Sequence, residues 1–95
     1  MKRIEWNEEK NLQLQRERGL SFEAIVVAIE LGNLIDIVSN PSSQHVDQQV
    51  FVIEMDDYLV LVPFVEDEEK IFLKTAFKSR KITKKYRRGI NDEKN

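Results

Sequence analysis

The chain has no cysteine, one histidine and only three glycines among its 95 residues. Without cysteine it can form no disulfide, no thiolate nucleophile and no cysteine-ligated metal site. Glycine-rich phosphate loops and the Gly-x-Ser-x-Gly turn of many hydrolases are also missing. The single histidine, His45, is the only side chain whose ordinary pKa, about 6.5, suits proton transfer at neutral pH.

Long apolar segments are absent as well. The longest apolar run, Tyr58 to Val65, contains Pro63 and is too short to cross a bilayer. Met1-Lys2-Arg3 is followed by acidic and amide residues rather than by the apolar stretch of a secretory signal. We therefore expect a cytoplasmic protein with no membrane partner.

Composition predicts one small globular domain. Hydrophobic residues make up 41% of the chain and charged residues 34%, a mixture typical of globular proteins. A chain of this length can bury a single core. We expect one domain over residues 1–90 and a flexible tail over residues 91–95, which have little to bury.

Charge is distributed very unevenly along the chain. Residues 1–69 contain five basic and fifteen acidic residues, a net charge of −10, whereas residues 70–95 contain ten basic and two acidic residues, a net charge of +8. The two parts nearly cancel in the total of −2. A positive surface on an acidic body is suited to a polyanion or an acidic protein.

The N-terminal half predicts a strand and two helices. Ile4-Glu5-Trp6 alternates like a short strand, and Asn7 is a good N-cap for a helix that ends at Gly19. We expect this helix to pack through a thin apolar stripe, mainly Leu12, with Leu14 to one side. Ser21 predicts the start of a second helix that ends at Gly32 or Asn33.

The next segment predicts a sheet. Residues 34–38 form a short β-rich run, and a polar loop containing His45 separates it from three further strand-like runs, at 50–55, 58–65 and 71–77. Short acidic turns separate these three runs, which predicts an antiparallel meander. Pro63 cannot donate a ladder hydrogen bond and predicts a bulge. In the last run Lys74 should share one face with Phe72.

The basic segment predicts a C-terminal helix. Ser79 is a suitable N-cap, and Ile82 and Tyr86, four residues apart, form a narrow inward stripe while the basic side chains face outward. The predicted fold is therefore α+β: two N-terminal helices on a twisted antiparallel sheet of about four to five strands, with a basic C-terminal helix.

Several stretches in this order resemble the BrnT family of bacterial type II toxins, of the RelE-like ribonuclease superfamily. They are the opening Ile4-Glu5-Trp6-Asn7 with Lys10 and Asn11, the stretch Arg18-Gly19-Leu20-Ser21-Phe22-Glu23-Ala24, the paired strands, and the ending Ser79-Arg80-Lys81-Ile82-Thr83-Lys84-Lys85-Tyr86. The resemblance spans roughly residues 3–88. It implies a toxin that cleaves RNA, free or on the ribosome, and a cognate DNA-binding antitoxin, of the ribbon-helix-helix or a related type.

Cleavage of RNA by its own 2′-hydroxyl needs a base, an acid and cations that stabilise the phosphorane. Arg80 is the best candidate for stabilising the phosphorane, because a guanidinium offers two parallel donors, and Lys74 could complete this clamp. His45 is the candidate proton-transfer group. Candidates for contacting flanking phosphates are Lys78, Lys81, Lys84, Lys85 and Arg88. We expect no metal and no cofactor.

The candidate residues also have interpretations that involve no catalysis. His45 could be an ordinary exposed loop residue, Glu54 could be a base or a solvated carboxylate, and Trp6 could stack on an RNA base or anchor the core. The basic run could simply be a solvated helix face. The protein could accordingly be an RNA-binding or protein-interaction module without catalysis.

Overall fold

The computed structural model describes residues 2–39 and 48–79, which form an α+β domain of two helices and a mostly antiparallel sheet. The elements are β1 Arg3–Trp6, α1 Glu8–Arg18, α2 Phe22–Glu30, β2 Leu34–Ser39, β3 Gln48–Met55, β4 Tyr58–Glu66, β5 Lys70–Leu73 and β6 Phe77–Ser79. The α+β class, both N-terminal helices and the antiparallel pairing of the central strands are confirmed. The predicted C-terminal helix lies outside the described residues.

The helix boundaries follow from capping. Asn7 Oδ1 accepts a hydrogen bond from the Lys10 amide at 3.0 Å, and Ser21 Oγ accepts one from the Ala24 amide at 3.1 Å. These bonds satisfy amides that have no partner within the helix. Gly19 ends α1 with φ 65°, a left-handed conformation that glycine adopts without strain.

The packing of α1 differs from the prediction. Leu14 is 1% exposed, whereas Leu12 is 50% exposed. The inward stripe runs through Asn11 and Leu14, three residues apart, and Leu12 points about 200° away from Leu14 on the helix. The prediction failed because Asn11, a polar residue, lies fully buried on the packing face.

The strand order is β1-β5-β4-β3-β2, and β6 pairs with β4 beyond the end of β5. Every pair is antiparallel except β1 with β5, which are parallel with Ile4 opposite Ile71. A parallel neighbour requires a long crossover, and here the connection between the two strands contains both helices and β2 to β4.

The last predicted strand is split into β5 and β6. Phe64 pairs with Leu73, and Leu61 pairs with Phe77, so two residues of β4 lie opposite three residues, 74–76. Lys74 N donates to Pro63 O at 2.8 Å, but proline has no amide hydrogen to return that bond. The predicted bulge at Pro63 is confirmed. The extra residue reverses the alternation, so that Ala76 rather than Phe77 is buried.

The two sides of the sheet carry separate apolar clusters. The helix face, defined by Phe51, Ile53, Val60, Val62 and Phe64, forms the main core with the buried residues of α1 and α2. Phe51 and Phe64 stack there with their ring centroids 3.8 Å apart. The second face carries a smaller cluster of Val50, Val52, Leu59 and Leu61.

Candidate nucleic-acid interface

Two of the predicted site residues lie in the described part of the chain, Lys74 and Lys78. Those outside the described residues are His45, Arg80, Lys81, Lys84, Lys85 and Arg88. The structure therefore gives the geometry around the two lysines and the position of Ser79, the last described residue before the basic run.

Lys74 lies on the second face, at the bulge. Its backbone is held by the hydrogen bond to Pro63 O, and its Nζ lies 5.9 Å from the centroid of the Phe72 ring. A cation at this distance is attracted by the ring face. The side chain is exposed and forms no ion pair with the described residues. Its charge is thus held near an aromatic surface and is available to an anion.

A shallow depression of about 350 Å³ surrounds Lys74, lined by Gln48, Val65, Glu66, Asp67, Lys70, Phe72 and Lys74. Its charges are mixed, but most are already satisfied. Glu66 pairs with Lys2 at 2.6 Å, and Lys70 Nζ lies 3.9 Å from Glu5. Lys74 has no carboxylate partner among the described residues. It is therefore the group in this depression that attracts anions most strongly.

Asp67 shapes the turn between β4 and β5. Its carboxylate accepts hydrogen bonds from the amides of Glu69 and Lys70, both at 2.8 Å. These bonds stabilise the charged form and lower the pKa of Asp67 below its ordinary value. The carboxylate therefore acts as a turn cap that fixes the start of β5, and with it the approach to Phe72 and Lys74.

Lys78 lies on the other side of the sheet. It pairs in register with Val60, a residue of the helix face, and its Nζ is 5.2 Å from the centroid of the Tyr58 ring. A separate depression of about 550 Å³ includes Lys78 together with Ser21, Glu23 and Asp56. Lys74 and Lys78 therefore project from opposite faces and cannot bind the same phosphate group.

Trp6 and Glu54, the two other residues that could take part in RNA binding or cleavage, also lie among the described residues. Trp6 packs against Phe22 with ring centroids 5.6 Å apart, and its Nε1 donates to Glu8 at 3.3 Å. This contact favours the core-anchor interpretation. Glu54 is exposed on β3, and its amide donates to Asn33 O at 2.9 Å.

Two polar residues that position the site, Asn11 and Arg18, were not predicted from the sequence. Asn11 Oδ1 accepts from the Phe22 amide at 2.8 Å, and its Nδ2 donates to Glu23 at 2.7 Å, which fastens α1 to the start of α2. Arg18 Nη1 donates to Ala76 O at 2.6 Å and so holds the residue that precedes β6. A basic residue in the last helical turn indicates only a favourable dipole contact, so no sequence signal pointed to this bond.

Basic residues at the N-terminus pair with acidic residues at the turn between β4 and β5. Lys2 binds Glu66, and Arg3 lies 3.6 Å from Glu5 and 3.9 Å from Glu69. These exposed pairs contribute little stability individually. They place the positive charges of Lys2 and Arg3 beside carboxylates.

Comparison of the chain with protein-family models, with curated proteins and with solved structures gave no match. The longer of the two described helices, α1, has eleven residues, and neither helix is long and apolar enough to span a membrane.

Proposed function

We propose that the protein is the toxin of a type II toxin–antitoxin system, a metal-independent endoribonuclease of the BrnT type that inhibits translation in the cytoplasm. The observation that carries this proposal is the charge separation, −10 before residue 70 and +8 from there on. Polyanion binding explains so large an offset better than solubility does.

The local geometry supports a phosphate-binding role for the region after Leu73. Lys74 is exposed beside an aromatic ring, as expected of a residue that contacts a sugar–phosphate backbone next to a stacked base. β6 then leads directly into Arg80 and the basic run. Cations from both parts would stabilise a phosphorane intermediate better than either alone.

The proposed reaction is attack of the RNA 2′-oxygen on the adjacent phosphorus. A P–O2′ bond forms and the P–O5′ bond breaks, leaving a 2′,3′-cyclic phosphate and a 5′-hydroxyl. The 2′-hydroxyl gives its proton to a base, and the leaving 5′-oxygen receives one from an acid. His45 is the candidate for proton transfer, and Arg80 with Lys74 is the candidate clamp.

The proposed partner is a cognate antitoxin that binds DNA through a ribbon-helix-helix or related domain and covers the basic surface with acidic groups. Complementary charge would give rapid association. It would also exclude RNA from the same surface.

The test is incubation of end-labelled RNA with the partner-free protein in EDTA. Wild type should cleave it to 2′,3′-cyclic phosphate ends. Arg80→Ala should lower the rate by two to three orders of magnitude, about the cost of removing one transition-state donor. Arg16→Ala, which removes an exposed arginine from α1, is the matched control and should cleave normally. Intact RNA with wild type, both alone and in a translating lysate, would reject the endoribonuclease.

A second candidate is an RNA-binding module without catalysis. It is favoured by the surroundings of Lys74, where Glu66 is held by Lys2 and Asp67 by two amides, so neither carboxylate is poised for proton transfer. This module would leave RNA intact, and log Kd would depend on log salt concentration with a slope of about 0.7 per phosphate contacted. A slope near zero would instead indicate a protein-interaction module.

A further inference from the structure

The two strands at the ends of the sheet differ in their exposed side chains. The path of paired strands in the described part of the chain runs from β1 to β2. β1 carries the charged residues Arg3 and Glu5, whose side chains lie 3.6 Å apart. β2 instead exposes three large apolar side chains, Ile35, Ile37 and Val38, which are 44%, 47% and 36% exposed. An exposed apolar edge strand is a template for pairing with another strand.

One charged residue interrupts the apolar edge of β2. Asp36 lies between Ile35 and Ile37, and its Oδ1 accepts a hydrogen bond from the Ile37 amide at 2.8 Å. The register with β3 also shifts between Leu34 and Asp36. Carboxylates and bulges on an edge strand both discourage the addition of another strand. A strand that pairs with β2 must therefore offset the loss of the bond between Asp36 and the Ile37 amide, and a cation beside Asp36 would do so.

The charge of the surrounding chain selects the kind of strand that can pair with β2. Residues 19–69 contain eleven acidic residues and no lysine or arginine. Two copies of the chain paired through β2 would bring two such acidic segments together, and like charges on neighbouring strands are destabilising. A strand that contains lysine or arginine would meet opposite charge instead.

The register of β2 with β3 shows which side each of its residues faces, because residues in direct register project to the same side of a sheet. Ile37 is in register with Phe51 of the helix face. Asp36 is in register with Val52 of the second face. An added strand would therefore meet an apolar side chain on one side of the sheet and a carboxylate on the other.

We propose that β2 binds an extended segment of a partner protein by strand addition, and that this segment alternates large apolar residues with lysine or arginine. Its apolar residues lie beside Ile37, and its cations lie beside Asp36. The added strand is the fourth from β5, a distance of about 19 Å. It therefore leaves Lys74, which follows β5, accessible to RNA.

The test is an NMR titration of the full chain with a short peptide in which isoleucine and lysine alternate. We expect shifted amide resonances at Asp36, Ile37 and Val38, and slower hydrogen exchange of the β2 amides, because strand addition makes main-chain hydrogen bonds. A peptide of the same composition with its lysines grouped at one end, and one with glutamate in place of lysine, should lose this effect. Equal binding of the regrouped peptide would show charge attraction without strand pairing and would overturn the proposal.

A pair of charge-neutralising variants tests the role of Asp36. Asp36→Asn keeps an oxygen that can accept from the Ile37 amide but removes the negative charge. It should weaken binding of the alternating peptide about two- to fivefold, the effect of one cross-strand charge pair. Glu17→Gln, at an exposed position of α1, removes the same charge and should bind the peptide like wild type. Equal losses for the two variants would contradict a cation beside Asp36.

Two measurements without peptide distinguish the other possible occupants of the edge. A dimer in sedimentation equilibrium that Ile37→Lys abolishes would show that a second copy pairs with β2. Slow exchange, in the free monomer, of the β2 amides that do not pair with β3 would show that another part of the same chain occupies the edge. Either result would overturn the proposal. Neither depends on RNA, so this inference and the proposed activity can fail separately.

Discussion

The two faces of the sheet are stabilised in different ways and present different chemistry. The helix face packs under α1 and α2, whose caps, buried Asn11 and large apolar side chains hold a continuous core. The second face has a small apolar cluster and, beside it, Phe72 with the exposed Lys74. Substitutions on the helix face should therefore affect stability, and substitutions of polar residues on the second face should affect anion binding.

The largest expected effect on stability is in the main core between the helices and the helix face. Phe22 is fully buried and contacts Trp6, so Phe22→Ala should destabilise the protein by about 3–5 kcal/mol through lost burial and the resulting cavity. Urea unfolding measures this difference. Leu12→Ala, at an exposed position of α1, is the control and should change stability by less than about 0.5 kcal/mol. Similar costs for both would contradict the described packing of α1.

A smaller loss is expected at Asn11. Asn11→Ala would leave the buried amide of Phe22 without its acceptor, at a cost of about 1–3 kcal/mol. Gln15→Ala, at an exposed position one turn after Asn11, is the matched control in the same unfolding assay. If the two variants were equally stable, the hydrogen bonds of Asn11 would not be what fastens α1 to α2.

Substitution of Lys74 should change RNA binding and leave stability nearly unchanged, the opposite of the effects expected at Phe22 and Asn11. Lys74→Ala should change stability by less than about 0.5 kcal/mol. It should weaken RNA binding and reduce the salt slope by about 0.7, the loss of one phosphate contact. Fluorescence anisotropy with a labelled single strand at several salt concentrations measures this slope. Arg16→Ala should leave it unchanged, and an unchanged slope for Lys74→Ala would remove Lys74 from the interface.

The smallest expected effect is the pH dependence of stability that Asp67 causes. The pKa of Asp67 is lower in the folded chain than in the unfolded one because two amides bind its carboxylate. Its contribution is therefore present above the unfolded pKa of about 3.9 and is lost as the pH falls through the folded pKa. Asp67→Asn should be slightly less stable than wild type at pH 7, and the difference should shrink at pH 3. A difference independent of pH would show that the charge of Asp67 plays no part.

Local features of the fold were predictable because they depend on neighbouring residues. The caps at Asn7, Gly19 and Ser21 and the bulge at Pro63 follow from backbone chemistry. The parallel pairing of β1 with β5 was not predicted, because nothing near Ile4 indicates a partner 67 positions away. Leu12 and Leu14 were exchanged because a buried polar residue, Asn11, sets the orientation of α1.

The candidate site was predictable in its charge and in one contact. The sequence shows where cations accumulate, and the predicted shared face of Phe72 and Lys74 is confirmed. The structure adds that Lys78 lies beside Tyr58 on the opposite face. The extra residue at the bulge separates the two environments, since it reverses which residues of the last predicted strand face the helices. Alternation alone could not show this, because it assumes an unbroken strand.

The most direct test of the difference between the faces is an NMR titration of the full chain with a short single-stranded RNA that carries 2′-deoxy substitutions, which bind but cannot be cleaved. We predict that amide shifts will change at Phe72, at Lys74 and in the segment after Ser79, while those of α1 and α2 stay in place. Shift changes concentrated on α1 and α2 would contradict the assignment of RNA binding to the second face.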